Sequence, residues 1–235
     1  MSSELFRAFT TPEMIAFSLV VNVGMFASAV LLGEGVRRVW RAQPVAEVPP
    51  PVTAAERMLA ALCVLLNSAV MLVGWLLFRA NIIRIDDSAS IIRWLSDAAA
   101  LLLVMDAAMY VLHRAAHHPI AFRLVHGIHH RYVYPRPLTL FVLHPLEVLG
   151  FGGLWLLVLM PHAFSLGGIF LYLTANILFG MLGHVGVEPF PRALARSMLG
   201  SSTFHADHHQ QPTTNYGFYT GIWDHLFRTR ADKGL

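Results

Sequence analysis

Five apolar runs organise the chain, at residues 14–33, 58–78, 94–112, 146–160 and 164–182. The first two are about twenty residues long, the length an α-helix needs to cross the hydrocarbon core of a bilayer, and both are expected to span. The third is a further candidate span. The last two are shorter, are broken by glycines and by Asn176, and follow directly on His144. They are expected to form a fourth and fifth helix, as a hairpin that need not reach the far leaflet. The pattern predicts an all-α integral membrane protein with about four to five transmembrane or membrane-embedded helices.

Composition agrees. A chain of 235 residues is long enough for one or two soluble domains, but 56% hydrophobic and 13% charged residues, with a mean hydropathy of +0.56, place it among membrane proteins. Residues 1–12 carry a single arginine, Arg7, and the run that follows is too long for a signal-peptide core, so it is expected to stay attached. Residues 42–51, with Pro49, Pro50 and Pro51 in succession, read as an extended linker between the first two spans. No internal repeat is visible. Residues 1–93 are therefore expected to be a membrane scaffold of two spans, and residues 94–235 one catalytic unit. Cys63 is the single cysteine and lies inside the second run. It excludes an intrachain disulfide and reads as a small buried hydrophobe.

The isoelectric point near 9.4 does not indicate nucleic-acid binding, because the basic residues are scattered among helix ends and form no stripe. Topology explains them better. If residues 34–57 are cytoplasmic, thirteen of the seventeen Lys and Arg residues fall inside, and Arg7, Arg79, Arg84 and Arg93 fall outside. This satisfies the positive-inside rule.

The chemistry lies in the histidines. Nine of thirteen fall in three clusters: His113-Arg-Ala-Ala-His117-His118, His126-Gly-Ile-His129-His130 and His205-Ala-Asp-His208-His209. Residues three or four apart share a helix face, so each cluster can aim several imidazoles at one point. With His118 set aside as a spare, eight imidazoles exceed the six positions of one octahedral ion and imply two metals. The clusters contain no cysteine and no carboxylate at a repeating ligand spacing. Imidazole suits iron, zinc and copper, and since zinc sites normally stop at four ligands, the set favours iron. An isolated histidine would more simply be a cap or a surface residue, and His162 and His225 are read that way.

The clusters must share one side of the membrane, and the two apolar runs between His130 and His205 supply the even number of crossings this needs. Asp106, Tyr110, His113 and His117 share one helical face. Asp106 is expected to accept a hydrogen bond from a ligand histidine and fix its tautomer, with an interhelical ion pair as the alternative. Asp97, nearer the membrane edge, reads as an ion-pair partner. Asn176, Gly180, His184 and Glu188 recur every four residues, so His184 is a plausible ninth ligand and Glu188 its orienting carboxylate. His144, in His144-Pro-Leu-Glu147, is either a site residue or the start of a helix with proline in its first turn. Asn215-Tyr216-Gly217 suits a tight turn.

With these residues in view, the chain resembles the fatty acid hydroxylase and sterol desaturase superfamily of integral-membrane di-iron oxygenases, over roughly residues 106–229. The resemblance is carried by the three clusters, His144-Pro-Leu-Glu147, the His184 region, Asn215-Tyr216-Gly217 and Trp223-Asp224-x-Leu226-Phe227. It implies that His113, His117, His126, His129, His130, His205, His208 and His209, together with His184, hold two irons at the cytoplasmic membrane surface. It also implies reduction of O2 there, with removal of hydrogen from a C–H bond of a lipid and hydroxylation or desaturation as the outcome. Some relatives carry a second histidine four residues after the one matching His184, where this chain has Glu188. The chain has no nucleotide-binding glycine loop or haem module, so the two electrons are expected from a ferredoxin or cytochrome b5-like donor. The basic cytoplasmic surface suits an acidic carrier of that kind.

Two readings from other classes compete. A histidine-rich metal-binding or transport protein would place its ligands along the bilayer midplane, whereas here they cluster past helix ends. A membrane zinc hydrolase would need a His-Glu-x-x-His helix, which the sequence lacks.

Overall fold

The computed structural model describes residues 3–195 and 197–231. A short helix, α1 (Ser3–Ala8), leads into α2 (Thr11–Val39), followed by α3 (Ala54–Arg79) and α4 (Ile91–Ala116). Each start is set by local chemistry. Thr10 with Glu13 and Thr53 with Glu56 form reciprocal capping boxes, and Ser90 caps α4. Three small cap helices come next: α5 (Pro119–Ala121), then a π-helical turn, Phe122–His126, running into α6 (Gly127–His130). A 3-10 turn, Pro137–Phe141, leads into α7 (Pro145–Leu159), and α8 (Leu166–Gly183) returns to the cap. The cap is completed by α9 (Arg192–Ala195), α10 (Ser202–Gln210) and α11 (Ile222–Leu226).

Four helices, α2, α3, α4 and α8, are long and apolar enough to cross a membrane. They turn Leu31, Leu65, Leu103 and Phe170 outward, and they bury Leu101, Met105 and Met109 against Leu156, Leu159 and Tyr172. At 15 residues, α7 is about 22 Å long, short of the roughly 30 Å hydrocarbon core. The α7–α8 turn nevertheless reaches the level of the α3–α4 turn. Strand β1 (Ile85–Asp86) pairs in parallel with β2 (Phe164–Ser165), Ile85 opposite Phe164, and Asp97 accepts from the Ser165 amide at 2.6 Å while pairing with Arg93. The hairpin, which the short runs left free to stop short of the far leaflet, reaches the α3–α4 turn because strand pairing ties its own turn there.

The opposite end carries the cap. There the buried Glu56 carboxylate at the start of α3 meets the Arg136 guanidinium at 3.1 Å. The proline-rich linker lies on the same cap: the Val45 amide donates to the Gly186 carbonyl and the Glu188 amide to the Gln43 carbonyl. Gly186 makes this contact at φ +75°, and a Cβ there would stand 2.7 Å from the Pro135 carbonyl oxygen, so both conformation and space call for glycine. All three histidine clusters lie at this end. Of the thirteen basic residues counted on that side, Arg196 and Lys233 fall outside the described residues.

The helices line a partly open cavity of about 460 Å³. Its wall runs from Phe6, Leu159 and Leu166 at the far end to His113, His126, His129, His184 and His205 at the cap, about 27 Å along α8. Helices α2 and α3 supply Met14, Val21, Met25, Val64, Val70 and Met71 to it.

Candidate metal centre

The histidines gather into two groups that do not follow the sequence clusters. One is His113, His117, His126, His130 and His208, and the other His129, His184, His205 and His209. In each group, one ligand atom per residue lies within 4.8 Å of all the others. The regrouping follows from helix geometry. Adjacent residues diverge by about 100° around a helix, so α6 sends His130 to the first group and His129 to the second, while α10 sends His208 to the first and His209 to the second. The two His-x-x-His-His segments thus exchange single imidazoles, and each group is built from both. Helix α4 and its C-cap contribute His113 and His117 to the first group, and His184, just past α8, joins the second.

The tautomers can be read from the partners. The Nδ1 atoms of His113, His129, His184 and His208 face the backbone carbonyls of Tyr216, Val142, Gly180 and Thr214 at 2.8, 3.3, 2.8 and 2.6 Å. Carbonyls only accept, so these Nδ1 atoms donate, and the lone pair of each neutral ring sits on Nε2. Burial holds His184 at a pKa of about 4 and pushes His129 well below the ordinary imidazole value, with the neighbouring histidines adding to the effect on His129. Both rings are therefore neutral, and their Nε2 atoms stand 3.3 Å apart with lone pairs facing. This contact is repulsive unless a cation lies between the rings. The other Nε2 separations, His113–His126, His126–His130, His130–His208, His184–His205 and His205–His209, are 3.0–3.1 Å. Metal–imidazole bonds of about 2.0–2.1 Å put ligands at right angles roughly 3 Å apart, so the donor set fits metal ions in both groups. Burial likewise depresses His130, to about 2, and His205, His208 and His209.

All nine histidines expected to bind metal are thus brought together. The three other expected site residues have different partners. Asp106 touches no histidine: it accepts from the amides of Tyr219 and Thr220, the Thr220 hydroxyl and the Trp223 indole, and so anchors the segment before α11. Glu188 accepts from Thr203 and the Phe190 amide and does not orient His184, whose Nδ1 is taken by its own helix. His144 lies outside both groups. It caps α7, its Nδ1 accepting from the Leu146 amide at 3.1 Å, which is the helix-start alternative. His118 is exposed at the start of α5, and His162 lies at the far end against Arg93.

The carboxylate that does meet the cluster is Glu147, whose Oε1 lies 2.6 Å from His126 Nδ1 and is buried with it. The sequence signal for it is a carboxylate in the first turn of an otherwise apolar helix, a group that is costly to leave facing lipid. Asp224 acts one step further out: it accepts from the Tyr216 and Gly217 amides and the Thr229 hydroxyl, and burial raises its carboxyl pKa. It thereby places the Tyr216 carbonyl under His113. The turn here is as tight as Asn215-Tyr216-Gly217 suggested. Asn215 has φ +56°, and a Cβ on Gly217 would sit 2.1 Å from the Thr220 carbonyl oxygen.

A multi-span helical membrane protein with a nine-imidazole cap is a specific class of molecule. A model of the fatty acid hydroxylase family matches residues 98–229, more than half of the chain, and the chain belongs to that family within the fatty acid hydroxylase and sterol desaturase superfamily. It is 30% identical to methylsterol monooxygenase 2-2 of Arabidopsis thaliana over 179 residues, covering 72% of this chain and 64% of the relative. Identity to lathosterol oxidase of Mus musculus is 29%, over 54% of this chain and 42% of the relative. Identity to protein CER1-like 1 of Arabidopsis thaliana is 27%, over 66% and 27%. The chain spans only about a quarter of the length of CER1-like 1 and under two thirds of the other two relatives. No solved structure matches. The family and the four apolar helices mark an integral membrane protein.

Proposed function

We propose that the chain is an O2-dependent di-iron oxidoreductase that hydroxylates or desaturates a C–H bond of a lipid, sterol, fatty acyl or related, with electrons from an external ferredoxin or cytochrome b5-like donor. The observation that carries this reading is the opening of both histidine groups onto a membrane-deep apolar cavity, with His113, His126, His129, His184 and His205 in its wall. The five- and four-imidazole groups would each hold one iron, and the bound irons would supply the activation of O2 that an unactivated C–H bond requires.

The chain's own contribution is placement. Backbone carbonyls and Glu147 lock the imidazoles in one tautomer and orientation. The mostly apolar cavity wall suits an alkyl body held beside them. Names of relatives such as lathosterol oxidase and methylsterol monooxygenase support a lipid as the molecule oxidised.

Metal analysis of protein purified without added metal, with O2 uptake measured in the presence of a reductant, tests the proposal. Iron near two per chain with reductant-dependent uptake is expected. One zinc per chain without uptake would rule the reading out, and metal without uptake would favour a binding or transport protein.

The cap is proposed to face the cytoplasm, supported by the asymmetry of basic residues. Cys63 is buried and lends no background. In intact cells, Arg84→Cys should react with a membrane-impermeant maleimide and Arg131→Cys should be protected. The reverse labelling would invert the topology.

A further inference from the structure

We propose that Asn22 and Asn67 form a polar subsite in the cavity wall that receives the hydroxyl of a lipid, which makes the substrate a hydroxyl-bearing lipid rather than a hydrocarbon or ester held by its chain alone. The proposal rests on the lipid-oxidising reading above. Both asparagines line the cavity, and both lie outside residues 98–229. The Nδ2 atom of Asn22 donates to the Ser18 carbonyl at 2.8 Å and to the Met71 sulfur at 3.8 Å. That of Asn67 donates to the Cys63 carbonyl at 3.0 Å and the Cys63 sulfur at 3.3 Å.

Because a carbonyl can only accept, these contacts fix which end of each amide is nitrogen. The nitrogen of each amide is thus engaged, and among the described residues neither Oδ1 has a hydrogen-bond partner. Both residues are half-buried and neither Oδ1 is sealed off, so each is free to accept from a ligand, and a hydrogen bond made in such apolar surroundings favours a ligand that carries a donor. An alcohol supplies that donor; an alkane, an ether or an ester does not.

The subsite is also close to the candidate metal centre along the membrane normal. Gly152 packs on Val70 and Gly74 on Leu156, which sets α3 and α7 side by side in register. In that register Asn67 lies about two residues, and Asn22 beside Met71 about six, past the level of Glu147, or about 3 and 9 Å. The reacting bond would then belong to the hydroxyl-bearing half of the lipid.

Binding to the purified full chain in detergent tests this without any need for turnover. Two matched pairs are used, octadecanol against octadecane and cholesterol against cholestane. A preference of about three- to tenfold for the alcohol in at least one pair is expected, the pair showing it naming the lipid type. The Asn22→Leu and Asn67→Leu double variant should lose that preference while still binding the hydrocarbon. Equal binding within both pairs by the unaltered chain, or a preference that survives in the variant, overturns the proposal and leaves the lipid reading standing. Failure to bind any of the four overturns both.

Discussion

His129→Ala or His208→Ala should abolish lipid oxidation and lower the iron content of a chain that still inserts into the membrane. These are the imidazoles that cross between the two His-x-x-His-His segments, His129 from α6 to the four-membered group and His208 from α10 to the five-membered one. Each is buried, and each holds a backbone carbonyl through Nδ1 and presents Nε2 to the group. Alanine removes a donor that no neighbour can replace and leaves the carbonyl of Val142 or Thr214 unpaired. The four spans do not depend on either residue, so membrane insertion survives. Iron per chain, turnover and elution in detergent should be measured together, with His118→Ala and His144→Ala as controls that keep their iron. Full turnover in either test variant, or loss of iron in both controls, would remove the case for these two groups as the metal centre.

The second large effect is expected at Glu147. Its carboxylate is the one acidic partner of a clustered imidazole among the described residues, and it is buried beside His126 at 2.6 Å. Glu147→Gln keeps the shape but removes the charge that makes His126 a stronger donor, and it should cost about 10- to 100-fold in iron affinity or turnover. Asp106→Asn should behave differently. Asp106 accepts four hydrogen bonds from residues 219–223, so its loss should lower thermal stability more than iron affinity. Equal losses of iron affinity in the two variants would show that Asp106 reaches the metals after all.

Much of this was legible in the chain itself, and the reasons differ by element. Helices α2, α3 and α4 follow from apolar runs long enough to span, whereas their starts at Thr10, Thr53 and Ser90 were seen only in the structure. The nine imidazoles were legible because i, i+3 and i+4 spacing is a local property. Asp106 and Glu188 were misjudged for the same reason: helical spacing shows which residues share a face, not what that face meets. Asp106 faces the segment before α11, more than a hundred residues later, and Glu188 faces α10. Glu147 stood in a noted motif, but its pairing with His126 depends on how α7 packs against the π-helical turn. The acceptors at Tyr216, Val142, Gly180 and Thr214 are backbone carbonyls, to which sequence identity gives no clue.

From the amino acids alone came the bilayer as solvent, the approximate spans and the inventory of imidazoles, since hydrophobic length and helical phase are properties of short segments. Packing alone decided which imidazoles stand together, which partner fixes each ring, how deep the α7–α8 hairpin goes, and that α2 and α3 wall the cavity. Those outcomes depend on contacts between residues far apart in the chain, and the strength of such contacts is set by where the backbone brings them, not by the order in which they occur.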